Sequence, residues 1–258
     1  MVKLINTYGL DGLDFECVHD PSMDLIIPNI FTSTSWEYPG TQGTGCNTIS
    51  SSDTSNFLSF FQVLRSKLPS TTILTAAVSS SPWVGLNDLS GFAPLINYVG
   101  IMNYDLYPPS APGVTQVGPN SPLDESCMPQ GALVMGSAKT AIKAWSDAGI
   151  PKEQLLLGVP AYAHSYRVPT ANAIAPDGTL NITASFDSHN QTKGDAWDSP
   201  GGVDTCGKEI GPGGVWTFWG LVKAGYLNAD GSHSSAVQYK WDNCSQTVCP
   251  SCHPQKAE

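Results

Sequence analysis

Three stretches of this chain are apolar or β-branched on nearly every residue: Thr71–Ser79 (TTILTAAVS), Tyr98–Asp105 (YVGIMNYD) and Leu155–Tyr162 (LLLGVPAY). A strand with one wet face alternates apolar and polar side chains. A strand without that alternation must be covered on both faces, as in parallel sheets flanked by helices. Segments of helical spacing lie between these stretches. Phe57, Leu58, Phe61, Leu64 and Leu68 form one, stopped by Pro69 and open to capping by Thr54, Ser55 or Asn56. A short helix is expected over Leu86–Leu95. Another is expected through Val134, Ala138, Ile142 and Trp145, closed by Gly149-Ile150-Pro151. Met1–Leu10 reads as a helix end running into a further strand. Strands alternating with helices predict an α/β fold with a parallel sheet. The pattern changes after Tyr162. Residues 164–214 are polar and rich in Gly, Thr, Asn and Asp, with a helix expected over Trp216–Leu227 and a strand over Gln238–Trp241.

The 258 residues suffice for one large α/β domain or two smaller ones, and 41% hydrophobic residues supply a core. A net charge of −10 excludes a nucleic-acid partner, because phosphates are bound by clustered Lys and Arg. It is compatible with a neutral polysaccharide, which needs no charge match. No apolar run is long enough to cross a membrane, so no membrane association is expected. Met1-Val2-Lys3 does not open a signal peptide.

Carboxylates gather in one broken stretch. Asp11-Gly12-Leu13-Asp14-Phe15-Glu16 reads as a short strand with three acids, and Trp36-Glu37-Tyr38-Pro39-Gly40 supplies a fourth beside an indole. Residues two apart on a strand share a face, about 6–7 Å apart. Acids lining one face are costly unless that face meets water or substrate. A polar turn at a strand end would account for one or two acids, but not for four followed by Tyr-Pro. Between the halves lies Cys17–Ser35 (CVHDPSMDLIIPNIFTSTS), with two prolines and no period.

With that segment removed, the line resembles the D-x-x-D-x-D-x-E signature of glycoside hydrolase family 18, the chitinases and chitinase-like lectins, here of the fungal type. Met102-Asn103-Tyr104-Asp105 is similar to the family's M-x-Y-D strand, and Leu157–Ser165 (LGVPAYAHS) resembles its L-G-x-P-x-Y-G-x-S strand, with Ala163 in place of Gly. Gly214–Trp219 (GVWTFW) resembles the start of the helix in the family's small insertion. The resemblance implies a TIM (β/α)8 barrel, here partial, lacking the first three strands and the last, with an α+β insertion domain. The implied domains are a partial barrel at 1–162 with an aberrant insertion at 17–35, an incomplete α+β insertion at 163–247, and an aberrant tail at 248–258. A secreted, extracellular monomer is implied, with chitin or chitooligosaccharides as its partner.

The resemblance also implies site roles. Glu37 matches the general acid that protonates the glycosidic oxygen. The substrate's own N-acetyl oxygen is the nucleophile, so the reaction retains configuration without an enzymic nucleophile. Glu16 stands where an Asp orients the acetamide, one methylene longer, and Asp14 behind it raises its neighbour's pKa by like-charge proximity. Asp11 fixes the strand start and Trp36 flanks the sugar. Tyr104 hydrogen-bonds the acetamide oxygen, Asp105 holds the sugar, and Met102 either packs beneath it or is plain core. No cofactor and no metal is implied. The long insertion displaces Glu37 from Glu16, which leaves open a non-catalytic, chitin-binding lectin-like protein or an inactive fragment.

Cys249-Pro250-Ser251-Cys252-His253 matches a c-type haem attachment pattern but has no helix or axial ligand near it, and a zinc site would lack a second ligand pair. With Cys17, Cys249 and Cys252 set aside, Cys46, Cys127, Cys206 and Cys244 form an even set. Loop placement pairs them as Cys46–Cys127 and Cys206–Cys244. His164 reads as an ordinary surface or core histidine. Asn181, Asn190 and Asn243 head glycosylation sequons, which fits secretion.

Cys17–Ser35 has the form of translated intron. An Asp codon split after its second base, followed by an intron opening GTGTGTCCATGAT, is read as Glu16-Cys17-Val18-His19-Asp20, and Val248-Cys249 is what a GTATGT donor encodes. Splicing would collapse Glu16–Ser35 to one Asp. Sequencing the transcript is expected to find messages lacking this stretch; messages that all retain it would sink the reading.

Overall fold

A computed structural model of the protein describes residues 1–16, 38–42, 49–111, 113–204 and 206–250. The chain forms two compact units. One comprises Met1–Met102 and Lys139–Gly158, the other Asn103–Ala138 and Val159–Glu258.

The first unit opens with helix α1 (Val2–Tyr8), which Gly9 ends in the left-handed conformation at φ 60°. Glycine takes that conformation without a Cβ penalty. Strand β1 (Gly12–Phe15), helix α2 (Asp53–Lys67), strands β2 (Ile73–Val78) and β3 (Tyr98–Ile101), helix α3 (Ala138–Asp147) and strand β4 (Leu155–Leu157) follow. The four strands form one sheet in the order β1-β2-β3-β4, and every pair is parallel. The parallel direction is that predicted from the alternation of strands and helices.

One face of this sheet packs on the helices. Leu74, Ala76 and Val78 of β2 and Val99 and Ile101 of β3 are buried with Phe57, Phe61 and Leu64 of α2 and Ala141 and Trp145 of α3. Phe15 meets Phe61 edge-on at 4.9 Å, Phe57 meets Trp83 at 5.2 Å, and Trp83 meets Trp145 at 5.2 Å. Edge-to-face pairs add about 0.5–1.5 kcal/mol each beyond burial, so this cluster dominates the unit's cohesion. Arg65 ties the end of α2 to the sheet. Its guanidinium donates to the carbonyls of Thr72 (2.7 Å) and Leu95 (2.7 and 3.0 Å), the segments that lead into β2 and β3.

Several expected elements differ. Leu155–Tyr162 is not one buried strand: β4 stops at Leu157, and Leu156 and Val159 are 49% and 75% exposed. β4 is the last strand of its sheet, so no further strand covers that side among the described residues. Leu86–Leu95 holds only one 3₁₀ turn, Ser90–Phe92, because the Asp88 carboxylate accepts the Ser90 N–H and fixes a tight local turn. The helix expected from Val134 begins at Ala138, whose N–H is taken by the Pro122 carbonyl (2.9 Å).

The second unit is built of short antiparallel pairs. Strand β5 (Tyr162–His164) precedes helix α4 (Thr170–Ala173), strands β6 (Gly202–Val203), β7 (Glu209–Ile210) and β8 (Val215–Thr217), helix α5 (Phe218–Lys223), and strands β9 (Tyr239–Asp242) and β10 (Thr247–Pro250). β5 pairs with β8, β6 with β7, and β9 with β10. The helix expected over Trp216–Leu227 is therefore a strand and a short helix. The Thr217 hydroxyl caps the helix by accepting the Gly220 N–H (3.0 Å). Leu106, Tyr107, Val114, Val117, Ala184 and Phe186 form this unit's own apolar core.

The expected disulfides are corrected by the structure. Cys127 is bonded to Cys244, with Cα atoms 5.7 Å apart, inside the range a bridge requires. This excludes both Cys46–Cys127 and Cys206–Cys244. The cause is backbone pairing: Leu123 donates to the Ser245 carbonyl (2.9 Å) and brings the two loops together. Cys46 lies outside the described residues, and Cys206 sits exposed in the turn after β6. The bridge spans 117 residues. Replacing both cysteines by Ser is expected to cost about 2–5 kcal/mol of stability in denaturant unfolding, and non-reducing peptide mapping should recover the Cys127–Cys244 linked pair.

Candidate active site

β1 is where the acids are sorted. Its register sets Leu13 beside Leu74, Asp14 beside Thr75 and Phe15 beside Ala76. Leu13 and Phe15 pack on the helix-facing core, so Asp14 and Glu16 belong to the opposite face. The Thr75 hydroxyl, itself 3% exposed as a residue, donates to Asp14 Oδ1. Gly12 makes this pairing possible. A Cβ there would stand 2.0 Å from the Ile73 carbonyl oxygen, so any other residue would push the strands apart. Asp11 lies just before the strand, and its backbone carbonyl accepts the Ile73 N–H (2.9 Å). Met102 follows β3, has the parity of Gly100, and so shares the sheet face of Asp14 and Thr75; its N–H is held by the Val78 carbonyl (2.8 Å). Alternation along the strands thus puts Asp14, Glu16 and Met102 on one face of the parallel sheet, at the C-terminal ends of β1 and β3, with β2 between them. Trp36 and Glu37 lie outside the described residues.

Tyr104 and Asp105 open the second unit, where they meet β5. Tyr104 contacts the Tyr162 ring edge-on at 6.3 Å. Asp105 Oδ1 accepts from both the Tyr162 hydroxyl and His164 Nε2, each at 2.7 Å. Its backbone sits in the left-handed region at φ 55°, uncommon for a side chain with a Cβ. Asn120 holds it there: the Asn120 Oδ1 accepts the Asp105 N–H (2.9 Å), and the Asn120 Nδ2 donates to the Tyr162 carbonyl (3.1 Å). Burial pushes the Asp105 carboxyl up, but the hydrogen bonds from His164 and Tyr162 and the attraction of His164 outweigh it, so the net shift is downward. Burial also pushes the Tyr162 hydroxyl well up, and the adjacent Asp105 carboxylate adds to this, so the phenol stays a donor.

His164 was invisible to sequence reasoning as a site residue. It lies 59 residues from Asp105 in the chain. Tyr162 and Asn120 were missed likewise. A further acid, Asp198, is buried and accepts three backbone N–H groups, from Gly194 (2.7 Å), Gly214 (3.0 Å) and Val215 (3.0 Å). It pins the loop before β8 and is structural. No cluster of three or more His, Cys, Asp or Glu able to hold a metal ion occurs among the described residues.

Residues 1–248 match the family profile of the glycosyl hydrolases family 18. The chain belongs to that family. Relatives of this family 18 chain include a chitinase-like effector of Moniliophthora roreri, 41% identical over 221 residues, which cover 82% of this chain and 52% of the relative. A chitinase-like effector of Moniliophthora perniciosa is 36% identical over 256 residues, covering 96% of this chain and 52% of the relative. Among solved structures, a chitinase from Rhizomucor miehei superposes with a TM-score of 0.76 at 30% identity, covering 96% of this chain and 60% of that one. A class V chitinase of Nicotiana, solved in complex with NAG4, shares the fold at a TM-score of 0.61 and 21% identity, covering 97% of this chain and 56% of that one. The family 18 chain spans about half the length of the curated relatives it matches. Its fold class is the TIM-barrel-like α/β class of these neighbours.

Asp105 yields a test of its environment. A carboxyl whose folded pKa is depressed adds stability above its unfolded pKa, about 3.9, and that stability is lost as pH falls through the lower folded value. Side-chain carbon NMR of Asp105 is expected to give a midpoint below about 3.9, and Tyr162→Phe should move it upward.

Proposed function

We propose that this chain carries the chitin-directed site of family 18, and that its chemistry is substrate-assisted, retaining hydrolysis of β-1,4-linked N-acetylglucosamine polymers. The observation that carries the reading is the sorting of Asp14 and Glu16 onto one face at the C-terminal end of a parallel strand, where barrels of this type do chemistry. In this reading Glu37 protonates the leaving glycosidic oxygen. Glu16 orients the N-acetyl group, whose oxygen attacks the anomeric carbon, and stabilises the oxazolinium-like intermediate that forms. Asp14, hydrogen-bonded by Thr75, supports Glu16 from behind. Tyr104 donates to the acetamide oxygen, Met102 packs beneath the sugar, and Asp105 accepts from a sugar hydroxyl through its outer oxygen; Asp11 and Trp36 complete the binding residues. The chain then acts outside the cell as a monomer on chitin or chitooligosaccharides. The division into a partial barrel and an α+β insertion belongs to the same proposal.

A second reading is favoured by specific features: a non-catalytic, chitin-binding lectin-like protein. Glu16 is one methylene longer than the Asp of the signature, and twenty residues separate it from Glu37 where the signature allows one. Relatives that match over most of this chain are described as chitinase-like effectors.

Turnover of a fluorogenic chitobiose substrate separates the two. Replacing Glu16–Ser35 by a single Asp is expected to raise turnover by about a hundredfold, because small misplacements of a catalytic group cost about that much. In the repaired protein, Glu37→Gln should abolish turnover while leaving chitooligosaccharide binding intact, since it keeps the shape and loses only the proton. Equal turnover with and without the segment would mark Cys17–Ser35 as a genuine loop. Full turnover in the Gln variant would show that the wrong acid has been named.

A further inference from the structure

We infer that His164 is a positioning residue that aims Asp105 at the ligand, and that it acts through hydrogen-bond donation rather than by packing; the inference rests on the role proposed above for Asp105. The geometry is asymmetric. Two donors, Tyr162 Oη and His164 Nε2, converge on the same oxygen, Asp105 Oδ1. The other oxygen, Oδ2, has no hydrogen-bond partner among the described residues, and the carboxylate side chain is 50% exposed. A carboxylate held at one oxygen by two donors cannot rotate freely, and it presents its second oxygen in one direction. The same two bonds draw charge to the inner oxygen without consuming the outer one. That is the arrangement for accepting a hydroxyl or amide proton from a polar, neutral ligand.

The His164 side chain shows what is given up for this arrangement. It is 6% exposed, and its Nδ1 is buried with no partner among the described residues. An unpartnered buried polar atom costs about 1–3 kcal/mol. A ring serving only as filler would be better replaced by an apolar one. What distinguishes the histidine is the Nε2 donor. It reaches Asp105 from β5 at the level where Val215 of β8 pairs with it, so two strands fix the ring's backbone. The Tyr162 ring lies edge-on to the imidazole at 5.8 Å and limits its tilt. Asp105 itself occupies a left-handed backbone conformation at φ 55°, which a free loop residue would leave. Asn120, Tyr162 and His164 together hold it.

The test uses the full chain and calorimetric binding of tetra-N-acetylchitotetraose. Four variants serve: Asp105→Gly, His164→Leu, His164→Gln, and Asp105→Gly with His164→Leu. Glycine at 105 removes the carboxylate and accepts the positive φ without strain. His164→Leu is expected to weaken binding by tenfold to a hundredfold, the scale of a hydrogen bond to a charged group. His164→Gln, whose amide nitrogen can stand near the position of Nε2, should restore binding to within about threefold. In the Asp105→Gly background, His164→Leu should add less than a threefold further loss, because the residue it positions is gone. Equal weakening by Leu and Gln would overturn the inference, since it would assign the effect to shape. Additive losses in the double variant would overturn it as well. Failure of the sugar-binding reading shows separately: the unaltered chain and Asp105→Gly would then bind alike. Nitrogen-15 spectra of the imidazole read the pairing without ligand. The Nε2–H signal of His164 should shift in Asp105→Gly, and an unshifted signal would overturn the inference whether or not sugar binds. If His164→Leu does not fold, the Gln variant and the imidazole spectrum decide the question.

Discussion

The parallel register of β1 on β2 governs the first unit. It puts Leu13 and Phe15 against α2 and sends Asp14 and Glu16 to the other face. Side chains alternate with period two, so a slip of one residue would drive both carboxylates into the aromatic cluster and leave Phe15 in water. Burying two unpaired carboxylates in that cluster would cost far more than the pairing itself contributes. The register is fixed at its start by Gly12, where the β2 backbone leaves no room for a Cβ. It is read again at Asp14, where Thr75 stands directly opposite and donates to the carboxylate. One constraint thus serves the core and the acid face together.

The aromatic cluster makes that constraint worth obeying. Phe57 and Phe61 of α2 are fully buried and touch Phe15, Trp83 and Phe92. Full burial of each such ring is worth about 1.5–3 kcal/mol. Trp145 joins from α3, and its indole N–H is satisfied by the Ser79 carbonyl (3.0 Å), just after β2 ends. Helices and strand ends are therefore tied at both levels, by apolar contact and by hydrogen bonds to backbone carbonyls. The acid face inherits its stiffness from this packing.

The second unit relies on different physics. Its strands are two to four residues long and its polar loops are held by carboxylates: Asp195 on Thr217, Asp198 on three backbone N–H groups, Asp242 on Ser245. Asp105 belongs to this style of construction but points outward. Its loop is fixed by Asn120, and its carboxylate is anchored from within by Tyr162 and His164. Where a hydrophobic core is thin, charge-assisted hydrogen bonds and a disulfide do the ordering.

The sequence by itself determined the parallel sheet and the family. Unbroken apolar runs, helical spacing and the Met102–Asp105 motif are local patterns, and local patterns survive without coordinates. It also determined that Asp14 and Glu16 would share a face, because strand alternation is a property of the backbone. It overstated the length and burial of Leu155–Tyr162, because composition does not say that a strand will lie at the edge of its sheet. It also mispaired the cysteines. Only the tertiary structure decided that Cys127 meets Cys244, that Thr75 stands opposite Asp14, and that His164 reaches Asp105. Each of these is a contact between residues 59 or more apart. Such contacts depend on how loops and strands pack, and no period or spacing in the chain encodes which distant side chain will arrive.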